Sequence, residues 1–239
     1  MTTPTPAIDA ALARAIAAAN PNRPPAPPAS PFALHPNSDP DHLFAREARA
    51  LYGAQVAEIR SDPMRSDLAK AHALAAAHQQ HTADMAAAHG RLTARRQARL
   101  DYLTGLVPNG PDIPAGTSPA DKAVLMTAWR AANDAVRNAP NRQAREALLA
   151  EASRYGDDIM QRAVLTNATE RGEHRIVDWW VEQTHGVKGW QTETGQLRGA
   201  LAGERQHVPW DWKDFHTEPA PPEARGVAPL DGSGQQGAA

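Results

Sequence analysis

Apolar positions in this chain recur at three- and four-residue intervals, a pattern that predicts helices almost throughout. From Asp41, read as an N-cap, Leu43, Phe44, Leu51, Val56 and Ile59 form one apolar side. Pro63 interrupts it and, with Asp62 as cap, opens a second helix predicted to run to about Leu106. That length lies well beyond the roughly 11–12 residues of an average helix. Gly90 is its weak point, about 1 kcal/mol worse than alanine in a helix interior. "VPNGPDIPAGT" then reads as a loop. "SPADK" reads as a helix start, with Ser118 as cap, proline in the first turn and Asp121 in the capping-box position. Beyond it four stripes follow helical spacing. They are Val124, Leu125, Ala128, Trp129, Ala132 and Val136; Leu148, Ala152, Tyr155, Ile159 and Ala163 after a cap at Asn141; Ile176, Val177, Trp180 and Val181; and Trp190, Leu197 and Leu201. Gly156, Gly172, Gly186 and Gly189 mark the breaks. No stretch alternates as a strand would, so no strand is expected.

The expected fold is all-α: an elongated helical protein with a long alanine-rich helix, a C-terminal helical bundle and proline-rich disordered arms. Residues 1–40 read as a short helix (Ile8 to Ala19) and a proline-rich arm, and residues 41–107 as the long helical segment. The loop covers 108–117 and the bundle 118–207. Residues 208–239 read as a flexible tail carrying an aromatic anchor.

Composition thins the expected core. The 239 residues are 41% hydrophobic but only 5% aromatic, and much of the apolar content is alanine, which buries little area. A net charge of -2 argues against global attraction to nucleic acid or acidic membranes. Cysteine is absent, which excludes disulfides and thiolate metal sites. The first twenty residues carry Asp9 and Arg14 within their apolar run, which is unlike a signal peptide. The expectation is a soluble chain made in the cytoplasm.

Four histidines lie close together in "AHALAAAHQQHTADMAAAHG". At about 100° per residue, His78 and His89 share a face with Leu74, Met85 and Leu92; His81 sits at its edge and His72 points away. His78 and His81, three apart, are the one spacing that suits a shared metal ion; the reading adopted is a packing stripe with no metal and no cofactor. Two Glu-x-x-His pairs, Glu182–His185 and Glu204–His207, have the spacing of di-iron bundles but sit at helix ends. Arg91, Arg95, Arg96 and Arg99 form a positive stripe, read as a solvated helix face or a contact with an acidic neighbour, with a phosphate-binding face as the alternative. In "PWDWKDF", Trp210, Trp212 and Phe215 form the candidate partner-binding anchor, folding back on the chain or filling a groove elsewhere. No nucleotide, zinc-protease or nucleophile-elbow motif occurs, and no catalytic residue is assigned.

The segment from Arg162 to Leu201 resembles small helical structural proteins of tailed phages that infect GC-rich actinobacteria. The matching residues are Ala163, Gly172, Ile176, Val177, Trp180 and Leu197 to Leu201. That resemblance implies a virion or assembly protein without catalytic residues. The expected function is therefore non-catalytic and structural, acting by protein–protein contact as a head or head–tail component. Its partners would be other copies of itself or capsid, portal or tail proteins, with no membrane. The alternatives are a nucleic-acid accessory protein using Arg91–Arg99 and a helical metalloprotein.

Overall fold

A computed structural model describes residues 27–227, so the helix expected from Ile8 to Ala19 and the end of the tail lie outside the described residues. Among the described residues the regular structure is helical. It comprises α1 (Pro40–Ser61), α2 (Asp67–Gly105), α3 (Pro119–Asn138), α4 (Arg142–Tyr155), α5 (Asp158–Arg171), α6 (His174–His185), α7 (Trp190–Leu201), α8 (Pro209–Asp214) and a 3₁₀ turn at Pro222–Ala224.

Asp39, not Asp41, caps α1. Its carboxylate accepts the backbone N–H of Asp41 at 2.9 Å and of His42 at 3.4 Å, and Pro40 fills the first helical position. Likewise Ser66, not Asp62, caps α2, while Asp62 closes the intervening turn by accepting from the Met64 N–H. Ser118 and Asn141 cap α3 and α4 as the sequence suggests. Gly156, Gly172 and Gly186 end three successive helices at φ near +70°, a conformation that costs glycine little.

The 39 residues of α2 run unbroken through Gly90, about 58 Å at 1.5 Å per residue. Ala88 and Leu92 are buried on either side of that glycine and hold the helix against its neighbours. α2 belongs to both hydrophobic clusters. One contains Leu103 with Val136, Leu149, Leu165, Val177, Val181 and Leu197, so α3–α7 assemble around the C-terminal end of α2. The other joins Tyr52 and Ile59 of α1 to Leu74, Ala75 and Ala77 of α2 and to Ala224 of the 3₁₀ turn.

Three parts of the chain depart from the sequence expectation. Leu43, Phe44 and Leu51, assigned to the apolar side of α1, are exposed, and Ala45, Tyr52 and Ile59 form its buried line instead. Val124 and Tyr155, assigned to inward stripes, are 67% and 73% exposed. α3 buries Ala132 and Val136 and packs a part-buried Trp129 against the core, all in its second half. Residues 208–227, expected as flexible tail, form α8 and the 3₁₀ turn and lie back along α1 and α2. No helix among the described residues is long and apolar enough to cross a membrane.

Candidate functional site

The densest polar constellation lies where the start of α1, the middle of α2 and α8 meet. Asp39 and Asp41, in the cap and first turn of α1, face two arginines one turn apart on α2. Arg95 reaches both carboxylates at 2.8 Å, and Arg91 reaches Asp41 at 2.8 Å. Arg96 turns the other way and bonds both oxygens of Asp211 on α8, with Nη2 to Oδ1 at 3.0 Å. Asp214, three residues later and on the same face of α8, accepts from Arg46 through Nε and Nη2 and contacts Nδ1 of His42 at 2.9 Å. Arg49 completes the clasp by donating to the carbonyls of Lys213, Asp214 and His216. Further along α2, Arg99 forms a two-point pair with Glu193 of α7 and donates to the Pro28 carbonyl at 2.8 Å.

These pairs are sheltered. Asp39 and Asp214 are nearly inaccessible, and Arg96 and Asp211 are both buried. Burial pushes the Asp39 carboxyl upward, but Arg95 and the two capping N–H groups outweigh it and hold it below the usual value of 3.8. At Asp214, burial is outweighed in the same way by Arg46 and His42. Both carboxylates therefore favour the folded chain above pH 3.8, and that contribution disappears as pH falls through their lowered values.

The arginine stripe is thus internally neutralised: each of Arg91, Arg95, Arg96 and Arg99 already faces a carboxylate, which a phosphate would have to displace. The aromatic anchor is arranged in an unexpected way. α8 turns Asp211 and Asp214 inward and leaves Trp210 and Trp212 36% and 54% exposed. Lys213 lies over the Trp210 ring and Arg205 over the Trp212 ring, at 5.2 and 4.5 Å. Phe215 is half-buried, between the rings of His42 and His89.

The histidine stripe is rotated from its expected centre. Leu74, Ala77, His81, Met85, Ala88 and Leu92 form the buried line of α2, whereas the His89 side chain is half exposed. His81 stacks on Tyr52 with ring centroids 4.4 Å apart, and neither of its ring nitrogens has a hydrogen-bond partner. His78 meets the Tyr52 hydroxyl at 3.5 Å. No group of three or more His, Asp or Glu among the described residues is arranged to hold a metal. Of the Glu-x-x-His pairs, His185 ends α6 against Trp180, and Glu204–His207, 3.4 Å apart, lies past the end of α7.

Burial lowers the His81 pKa from 6.5, helped by Arg49 and His78 and opposed by Glu218 and Asp84. A histidine with a lowered folded value is an acid liability, because the unfolded chain binds its proton first and stability is lost as pH falls below about 6.5. His81→Leu removes two unpartnered nitrogens at the expense of the Tyr52 stack and is expected to add about 1 kcal/mol at pH 7.5. Urea unfolding at pH 7.5 and 5.5 checks this. The variant should lose less stability on acidification than the parent, and equal losses would remove His81 from the account.

Sequence reasoning missed Asp39, Asp41, His42, Arg46, Asp211 and Asp214. One signal was available: Asp211 and Asp214 are three apart, hence on one helix face, in a chain whose α2 has a run of arginines free of acids. A cavity of about 730 Å³ lies elsewhere, between the 106–112 loop and α3, α5 and α6. In its lining Arg162 bonds Asp112, and Gln161 accepts from the Trp180 indole. Compared with protein-family models, with curated proteins and with solved structures, the chain matches none.

Proposed function

We propose that this chain is a non-catalytic structural or assembly protein that works by protein–protein contact, its first partner being a second copy of itself. The observation that carries this reading is the orientation of α8. A short helix that folded back for hydrophobic gain would bury its tryptophans. Here buried ion pairs fix the helix and hold Trp210 and Trp212 outward, already ordered. Large aromatic side chains presented in a fixed conformation lose little freedom on binding, which is how interface hot spots gain affinity. The exposed Val124 on the free half of α3 and Trp179 on α6 offer further apolar contacts.

The narrower reading, a head or head–tail component of a phage virion, rests on the resemblance over Arg162–Leu201. That stretch forms helix, glycine turn, helix and leucine-bearing helix in α5, α6 and α7. Sedimentation velocity of the full chain between about 1 and 100 µM, a range on the order of typical interface affinities, provides the test. Oligomers that grow with concentration are expected, and Trp210→Ala with Trp212→Ala should shift them at least tenfold toward monomer. A compact monomer throughout that range would overturn the reading.

A further inference from the structure

The C-terminal end of α2 lies at the cavity of about 730 Å³ between the 106–112 loop and α3, α5 and α6. That volume falls within the roughly 300–1,000 Å³ of small-molecule sites. Its apolar wall continues the core. Leu106, Val107, Trp129 and Ile159 pack on the larger hydrophobic cluster but are only partly buried, and each also lines the cavity. Leu125 of α3 and Trp180 of α6 complete that wall, the second with its indole N–H already donated to Gln161. The result is a hollow with two indoles in its wall and no residue of the clasp between α1, α2 and α8.

The charged groups of the lining favour a cation. Asp112 and Arg162 pair at 2.8 Å and cancel one another. Asp158, exposed in the first turn of α5, is then the remaining fixed charge, and its carboxylate has no hydrogen-bond or ion-pair partner among the described residues. Two helices also end here with their electronegative carbonyl termini: α2 at Gly105, with no basic side chain in its last turn, and α6 at His185. The opposing N-terminus of α5 is already met by Asp157, whose carboxylate accepts the Met160 N–H. His185 itself stands across the Trp180 ring, centroids 5.3 Å apart, and is the other titratable group of the wall.

We infer that this cavity binds a small organic ammonium compound, its apolar body against Leu106, Leu125 and Ile159 and its nitrogen held by the Trp129 indole and Asp158. An indole face attracts a cation, more strongly where water is excluded, and a carboxylate and free helix carbonyls accept its N–H groups. A neutral molecule of the same shape gains only the apolar contact. A carboxylate in the same place meets Asp158 and two negative helix ends. Affinity therefore falls from amine to alcohol to carboxylate on one aromatic frame. The site shares no residue with the assembly surface of α8 and stands or falls apart from it.

The probes are 2-phenylethylamine, 2-phenylethanol and phenylacetate, added to the full chain carrying 5-fluorotryptophan at its 6 tryptophans. Fluorine NMR reads the binding, with Trp129→Phe and Trp180→Phe assigning the two signals of the wall. The amine should shift both with a Kd below about 1 mM, an ordinary strength for so small a ligand. The alcohol should bind at least about fivefold more weakly, and phenylacetate at least about tenfold. Asp158→Asn, a change at an exposed side chain, should weaken the amine at least about fivefold and leave the alcohol unchanged. No shift of the Trp129 signal up to about 10 mM amine overturns the inference. So does equal affinity for amine and alcohol, or an Asp158→Asn chain that binds the amine as the parent does.

Discussion

Replacing Arg96 with alanine is expected to destabilise the chain by about 3–5 kcal/mol, more than any other single change in the clasp. The Arg96 and Asp211 side chains are only 7% and 9% accessible, and their two-point pairing is what makes a buried carboxylate tolerable there. With Arg96 gone, Asp211 keeps only His42 at 3.7 Å and His89 at 3.8 Å. It must then protonate, admit water or leave. Leaving means that α8 detaches, so hydrogen exchange over 209–216 should rise together with the loss of urea resistance. Arg96→Met combined with Asp211→Leu should recover most of the stability, because the penalty comes from the orphaned charge rather than from the missing pair. Arg60→Ala supplies the scale: its pair with Glu223 is 48% and 46% exposed, so water and salt screen it and its loss should change stability little. If Arg96→Ala costs no more than Arg60→Ala, the clasp does not hold the C-terminal segment.

Trp190→Ala should cost a similar amount, about 3–5 kcal/mol, through a different mechanism. Trp190 opens α7, is 5% exposed and belongs to the larger cluster. Its indole N–H donates to the Leu103 carbonyl at 2.7 Å. That carbonyl lies in the last turn of α2, where its other donor is the capping Leu106 N–H at 3.3 Å and no basic side chain is at hand. Removing the ring opens a cavity and leaves that oxygen only its long bond from the Leu106 N–H. Trp190→Phe separates the two effects by keeping most of the packing, and it should lose about 1–2 kcal/mol. Thermal or urea unfolding distinguishes the cases. Equal losses for phenylalanine and alanine would assign the whole effect to the hydrogen bond.

The helices were legible because apolar spacing, caps and breaking glycines are local signals. Ser118, Asn141 and Gly172 act where the sequence places them. The clasp was not legible, because its partners lie far apart in the chain. Arg46 meets Asp214 across 168 positions, and Arg96 meets Asp211 across 115. Nothing near Arg96 in sequence reveals which carboxylate it faces. The orientation of α8 was hidden for a related reason. By hydropathy, Trp210 and Trp212 belong inside and Asp211 outside, and only arginines waiting on α1 and α2 reverse that preference. His81 shows a finer limit. The stripe on α2 was visible, but its buried line runs through Ala77, His81 and Ala88, and alanine is too weakly apolar to mark which side of a helix faces in.

The long separation of the clasp partners has a consequence for how the chain is made. The α1–α2 hairpin leaves the ribosome well before Asp211 and Asp214 are translated. At about 5–20 residues per second, Arg46 waits roughly 8–34 s for its partner. During that interval the hairpin has its thin seam and the pairs of Arg91 and Arg95 with Asp39 and Asp41, while Arg46, Arg49 and Arg96 lack the partners α8 will bring. The clasp is therefore completed only once residues 209–214 have been translated, when α8 arrives and locks α1 to α2.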